Sequence, residues 1–287
     1  MHQKLVHIPL FGLDLTIYSY GTLIVLAFLL AAWWAKRRAA KTLGLPEDRV
    51  FNVAFVLLFV GLAGARLVYA FSDYASFARR PLSFLYIWEG GLVGYGGMVA
   101  GLLWLAWWMP RRAEKGEWLE GKAWSLLDVL SRGACLALAL GWWASLLAGD
   151  DFGRPTKLPW GLPLTWFEDG SPAIRSYADA HADLVATRIH PTQVYESLFA
   201  LALFFLLGAL ARRKLSAGRV TAVFLMTHAL GHGLLDALRF EGADKRGMLV
   251  GDLLSWSQLL AVPVFFTGVA IWLIRKPAHS TLHHAAG

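Results

Sequence analysis

Charge is what this sequence has least of. Only 16% of its 287 residues are Asp, Glu, Lys or Arg, against roughly a quarter in an ordinary soluble domain of this length. Acidic residues are the scarcer sign, 20 against 27 basic, for a net charge of +7. A nucleic-acid partner would need a basic face carrying base-reading or stacking groups; the positive clusters here are short stubs between apolar runs, and that class is excluded. Cysteine is nearly absent too. The single Cys135 rules out a disulfide framework, and its place inside an apolar run leaves the redox compartment undetermined. There is no internal repeat and no low-complexity tract.

What fills the chain instead is apolar: 57% of residues, with 14 Trp. A hydrocarbon core about 30 Å thick takes around 20 helical residues to cross. Seven runs approach that length, at 15–35, 51–71, 92–109, 123–148, 195–211, 219–240 and 252–274. One such run would suit a buried helix of a soluble protein. Seven in succession predict an all-α polytopic membrane protein of about seven transmembrane helices, forming a single transmembrane domain over 1–287. The first run is too long for a secretory leader, and it ends in Lys36-Arg37-Arg38 rather than a small-residue cleavage site.

The basic residues set the expected orientation. Lys36, Arg37, Arg38, Lys41 and Arg49 follow the first span, Arg111, Arg112, Lys115 and Lys122 the third, and Arg212, Arg213, Lys214 and Arg219 the fifth, with Arg275 and Lys276 near the C-terminus. The positive-inside rule then predicts the N-terminus out and the C-terminus in the cytoplasm. The net charge is mostly this topology signal, with some attraction for anionic lipid heads. Residues 149–190, rich in Gly, Pro, Asp and Trp, predict a small ordered extracytoplasmic insertion between spans four and five. A second outer loop, near 72–91, ends in Trp88-Glu89-Gly90-Gly91. Long ordered loops carry function more often than short basic ones, so the chemistry is expected to face outward.

Ionisable groups inside a span cost several kcal/mol unless paired or wetted, which makes each a functional candidate. His228, His232 and Asp236 recur every four residues, and Arg239 follows three later, so all four share one helical face. That face is compatible with a polar cavity for a charged headgroup, with a hydrogen-bonded helix seam, or with a metal site built on His at i and i+4. Arg66 lies about a turn inside the second span, suited to snorkelling or to phosphate. Asp128 and Arg132 are spaced to pair within their helix. Tyr95 stands among Gly90, Gly91, Gly94, Gly96 and Gly97, which admit either a ligand or a neighbouring backbone. Pro191 and Thr192 suit a helix start; capping does not explain why His190, Gln193, Tyr195 and Glu196 crowd the same turn.

These motifs resemble those of the prolipoprotein diacylglyceryl transferase family. His190-Pro-Thr-Gln-Val-Tyr-Glu196 is similar to that family's His-Pro-(Ser/Thr)-Gln-Leu-Tyr-Glu element. In the same order along the chain, Tyr20-Gly21, Gly64-Ala65-Arg66, Trp88-Glu-Gly-Gly91 with Gly96-Gly97, Asp128, the stretch Gly141 to Arg154, and Ser255-Trp-Ser-Gln258 each resemble a family element. The likeness covers nearly the whole chain. It implies transfer of the diacylglyceryl group of phosphatidylglycerol to the lipobox cysteine thiol of a preprolipoprotein, with release of glycerol phosphate. It also implies a bacterial cytoplasmic (inner) membrane location, an extracytoplasmic active site, contact with membrane lipids, and neither metal nor organic cofactor.

Carried onto this chain, the resemblance implies a catalytic set of Tyr20, Tyr95, Asp150, His190, His232, Asp236 and Arg239. The substrate-binding set it implies is Arg66, Glu89, Asp128, Ser145, Gly153, Gln193, Tyr195, Glu196 and His228. The chain also departs from the pattern. Trp142 and His232 stand where the family has arginines, Tyr95 where it has His, His228 where it has Tyr, and Ser145, Asp150 and Asp236 where it has Asn, Glu and Glu. Arginine grips phosphate with a permanent, forked charge that Trp lacks and His carries only when protonated. Two expectations therefore stand: a working transferase with a rebuilt phosphate grip, or a catalytically degenerate paralogue that binds phospholipid or lipoprotein without transfer.

Overall fold

The computed structural model describes residues 4–10, 13–72, 74–85, 92–163, 188–213, 215–239, 248–249 and 254–275. Helices dominate: α1 (Ser19–Leu43), α2 (Glu47–Ser72), the short α3 (Tyr74–Arg79), α4 (Gly94–Arg112), α5 (Ala123–Ala148), α6 (Thr192–Leu210), α7 (Arg219–Asp236) and α8 (Trp256–Ile274). Strands are confined to short pieces, the longest being the antiparallel hairpin of β1 (Lys4–Leu10) and β2 (Leu13–Tyr18). That hairpin corrects the start of the first span: helix begins at Ser19 rather than 15, because the run Leu-Asp-Leu-Thr-Ile-Tyr before it is paired as a strand. The fourth span falls on α5 at the expected 123–148.

Five of the long helices, α1, α2, α5, α6 and α8, are long and apolar enough to cross a bilayer. Their outward faces carry Leu26, Phe55, Phe59, Phe205 and Phe266, all exposed. Their inward faces carry small and polar residues, such as Ala27, Ala31, Ala35 and Ala39 of α1. Large apolar groups outside and small ones inside is the arrangement lipid favours, since association of helices in lipid relies on close packing rather than on burying oil from water. The protein is an all-α polytopic membrane protein. α4 and α7 are less apolar: α4 carries glycines, tryptophans and two terminal arginines, and α7 two histidines with Arg219 and Asp236.

A close backbone contact joins α2 and α4. A methyl group on Gly64 would meet Ala100 Cβ at 2.3 Å and the Gly96 carbonyl oxygen at 2.6 Å, and one on Gly97 would meet the Gly61 oxygen at 2.6 Å. Of the two readings of the glycines around Tyr95, backbone approach is the one seen at Gly96 and Gly97. This contact holds the N-terminal end of α4, and with it Tyr95, against α2.

The bundle has two distinct ends. At one, arginines lie on tryptophan rings: Arg37 on Trp33, Arg111 on Trp107, Arg219 on Trp272 and Arg275 on Trp124, with guanidinium-to-ring distances of 4.3 to 5.4 Å. Such pairs suit a membrane interface, where an amphipathic ring and a cation share one boundary. The other end gathers the C-termini of α5 and α7 with the N-termini of α4, α6 and α8.

Asp128 belongs to the basic end. Its Oδ2 accepts from the Gly218 backbone N–H, and its Oδ1 accepts from the N–H and hydroxyl of Thr221, all at 2.8 Å. Gly218, at the N-cap of α7, has no side chain to satisfy the helix's first N–H groups, so Asp128 of α5 does so from outside. The expected Asp128–Arg132 pair within α5 is therefore not formed. Asp128→Ala is expected to destabilise the protein by about 2 to 3 kcal/mol, the cost of orphaned buried donors. Thermal melting in detergent would show this as a lower Tm, with the activity of the folded fraction unchanged.

Candidate active site

At the opposite end, one loop ties three helices together. α5 stops at Gly149, whose φ of 75° closes the helix, and the following Asp150 N–H bonds back to the Ser145 oxygen at 3.0 Å. The chain then runs beside the start of α6. Gln193 Nε2 donates to the Asp150 carbonyl at 2.6 Å, Thr192 Oγ1 to the Asp151 carbonyl at 2.5 Å, and Gly153 N to the His190 carbonyl at 3.0 Å. Arg154 N donates to the Leu238 carbonyl at 2.9 Å, and a β-bridge joins Gly153 to Arg239. Residues 150–154 are thus clamped between α6 and the end of α7.

Inside this clamp lies a buried polar cluster. His232 Nδ1 is 2.5 Å from Glu196 Oε1, joining α7 to α6. The His232 ring is flanked by Tyr95 at 5.1 Å and Trp142 at 5.8 Å. Asp236 accepts from Ser255 Oγ at 2.5 Å. That serine also forms a capping box with Gln258 at the start of α8, so the cap of one helix orients the carboxylate of another. Arg239 reaches Asp236 through Nη1 and Asp151 through Nη2, each at 3.3 Å. Glu196 Oε2 is buried without a hydrogen-bond partner among the described residues, an acceptor that desolvation makes costly to leave idle.

His228 sits one turn deeper. Its ring stacks on Phe224 at 5.5 Å and on His232 at 5.7 Å, and its backbone oxygen accepts from Tyr95 at 3.4 Å. It therefore belongs to an aromatic ladder that sets the inward face of α7. His190 stands outside the helix ends, its Nδ1 3.4 Å from the Tyr195 hydroxyl, which in turn accepts from Trp160 Nε1 at 2.8 Å. Tyr20 is half-exposed in the first turn of α1. Since Ile24 packs at Gly141 of the antiparallel α5, the helical rise carries Tyr20 to the level of Ser145.

A sequence profile described as prolipoprotein diacylglyceryl transferase matches residues 8–274. The chain belongs to this family. Among proteins named phosphatidylglycerol–prolipoprotein diacylglyceryl transferase, that of Clostridium tetani is 31% identical over 274 residues, covering 96% of this chain and 98% of its own. That of Parasynechococcus marenigrum is 29% identical over 276 residues, covering 91% of each chain. The one from Chloroflexus aggregans is 29% identical over 291 residues, covering 96% and 92%.

Within this family member, the structure brings together Tyr95, Asp150, Ser145, Gly153, His190, Gln193, Tyr195, Glu196, His228, His232, Asp236 and Arg239 at one end of the bundle. Asp128 lies elsewhere: it binds the first turn of α7, roughly 22 Å along that helix from Asp236. Arg66 is buried at the α2–α3 junction, where its Nε donates to the Phe84 oxygen at 3.1 Å and its guanidinium lies 5.5 Å from Tyr69 and 5.4 Å from Phe77. It does not snorkel. Glu89 falls outside the described residues. Two residues that contact the cluster are not among the expected site residues: Asp151, and Ser255, which enters the sequence reading only as part of a motif. Asp151 adopts a φ of 58°, unusual for a residue with a side chain, and it follows Asp150 directly in an otherwise acid-poor chain.

Proposed function

We propose that this protein transfers the diacylglyceryl group of phosphatidylglycerol to the lipobox cysteine thiol of preprolipoproteins. The observation that carries the reading is the buried Glu196–His232 pair beside Asp236 and Arg239, a carboxylate-held imidazole next to a permanent cation. In this reading His232 Nε2 takes the thiol proton while Glu196 holds Nδ1 and stabilises the imidazolium. The sulfur attacks the terminal glyceryl carbon, a carbon–sulfur bond forms, and the carbon–oxygen bond to phosphate breaks. Glycerol phosphate leaves with the bonding pair, its charge met by Arg239.

Arg239 holds two carboxylates of unequal exposure: the Asp151 side chain is 31% exposed and that of Asp236 1%. An arriving phosphate exchanges with Asp151, the one water already reaches, while Asp236 keeps the guanidinium in place. The arginines expected at 142 and 232 are thereby replaced by one at the mouth of the site. All seven long helices cross the bacterial cytoplasmic membrane, with the basic, tryptophan-rich end in the cytoplasm and the site on the extracytoplasmic side; residues 164–187 of the expected 149–190 insertion fall outside the described residues. Membrane lipids bathe the outward apolar faces.

The test supplies the purified protein with phosphatidylglycerol and a lipobox peptide. Thioether-linked diacylglyceryl on the peptide cysteine, with glycerol phosphate released, is the expected product. Arg239→Ala should lower the rate about 100- to 1000-fold, as loss of one transition-state donor does, and His190→Ala should lower it as well while both proteins still reach the membrane. Absence of product with phospholipid retained would mean a binding protein that does not transfer. Unchanged transfer in both variants would displace the site.

A further inference from the structure

The basic end of the bundle contains a cavity of about 160 Å³ lined by Trp34, Arg38, Arg132, Gly208 and Arg212. Its volume is that of roughly five water molecules. Arg132, in mid-α5, lies between two aromatic rings, 4.8 Å from the Trp34 centroid and 4.9 Å from that of Phe204. Those rings meet edge to face at 5.2 Å, which fixes the slot. Gly208 leaves it open: a methyl group there would come within 2.7 Å of Arg132 Nη2.

Ring faces attract the guanidinium charge but do not accept its N–H groups, which radiate in the plane of the fork. Arg132 Nε is buried with no hydrogen-bond partner among the described residues. Arg38 and Arg212 line the same cavity, and among the described residues no carboxylate does. Three like charges around one small cavity repel one another, and Arg132, the most desolvated of them, bears most of the cost. An anion with several acceptor oxygens removes both the repulsion and the orphaned Nε donor. Asp128, one turn away on α5, does not serve, being held by Gly218 and Thr221.

We infer that this cavity is a second anion site, distinct from the catalytic cluster, built for a phosphate group. Phosphate matches a guanidinium fork with paired oxygens, and either an anionic phospholipid headgroup or a free phosphate can supply it. The inference does not depend on the transferase reading.

The experiment uses the full-length protein in detergent, stripped of lipid. Native mass spectrometry with added phosphatidylglycerol, and with net-neutral phosphatidylcholine for comparison, counts bound lipid; calorimetry with inorganic phosphate reads the free anion. The proteins compared are wild type, Arg132→Gln, Arg212→Gln and, as a control at the same end, Arg111→Gln. Arg212 is exposed, so its substitution leaves the fold intact even where that of Arg132 does not. Lipid binding weakened roughly tenfold or more in both site variants, as expected for a lost charge-assisted contact, and unchanged in the control, identifies a headgroup site. The same pattern with inorganic phosphate alone identifies a free-phosphate site. Binding equal in all four proteins, or none of either ligand to the wild type, overturns the inference.

Discussion

His232→Asn is expected to lower kcat for diacylglyceryl transfer by about a hundred- to ten-thousandfold, the usual worth of a positioned general base, with little change in phosphatidylglycerol binding. Asparagine places its amide nitrogen near the position of imidazole Nδ1, so the contact with Glu196, 2.5 Å in the native protein, can be kept. What disappears is Nε2, the atom assigned to the thiol proton. Glu196→Gln should be milder, because the amide keeps the place beside Nδ1 but no longer stabilises the charged ring. Single-turnover rates for the three proteins would decide. A His232→Asn enzyme with native kcat would leave the pair a structural seam between α6 and α7, and the base would have to be sought elsewhere in the cluster.

Gly153→Ala should cost at least about a hundredfold in activity without removing any functional group. A methyl group at this position would lie 2.5 Å from His190 Cβ, 2.6 Å from the His190 oxygen and 3.0 Å from Thr192 Cγ2. Two of these neighbours cannot turn aside: one is backbone and the other is fixed to it. Residues 150–154 must therefore shift, breaking the Gly153–His190 bond and the bridge to Arg239. Displacements of about 1 Å in a positioned group are enough for a loss of this size, and overpacking adds about 1 to 3 kcal/mol of instability. Gly141→Ala is the matched control. Its methyl would meet only Ile24 Cδ1, at an ordinary 3.7 Å, so its activity should stay near the native level. Equal losses in the two variants, read in the same transfer assay, would refute the steric account.

Much of the fold was legible because lipid imposes a coarse rule on sequence. Apolar runs of membrane length cannot be hidden, and the runs at 123–148 and 219–240 became α5 and α7 within a few residues. The paired ends of the first span were less legible: a strand and a helix start read alike when both are apolar, so β2 was absorbed into the helix.

The site was half legible. Periodicity alone put His228, His232, Asp236 and Arg239 on one face, since a helix repeats every 3.6 residues whatever surrounds it. Periodicity could not say what that face meets. The nearness of Glu196 to His232 joins positions 36 residues apart by sequence number, and Asp151 reaches Arg239 from a different helix connection. Asp128 is the reverse case. Its charge and spacing suited a pair with Arg132, yet the unsatisfied N–H groups at the start of α7 claimed it, leaving Arg132 to two aromatic rings and an open cavity. By itself, then, the sequence determined the membrane class and the polar face of α7, because these depend on composition and local repeat, while its ordered motifs carried the likeness to the family. Only the tertiary structure decided which charges meet, because each pairing is a competition among partners that the folded bundle brings within hydrogen-bonding reach.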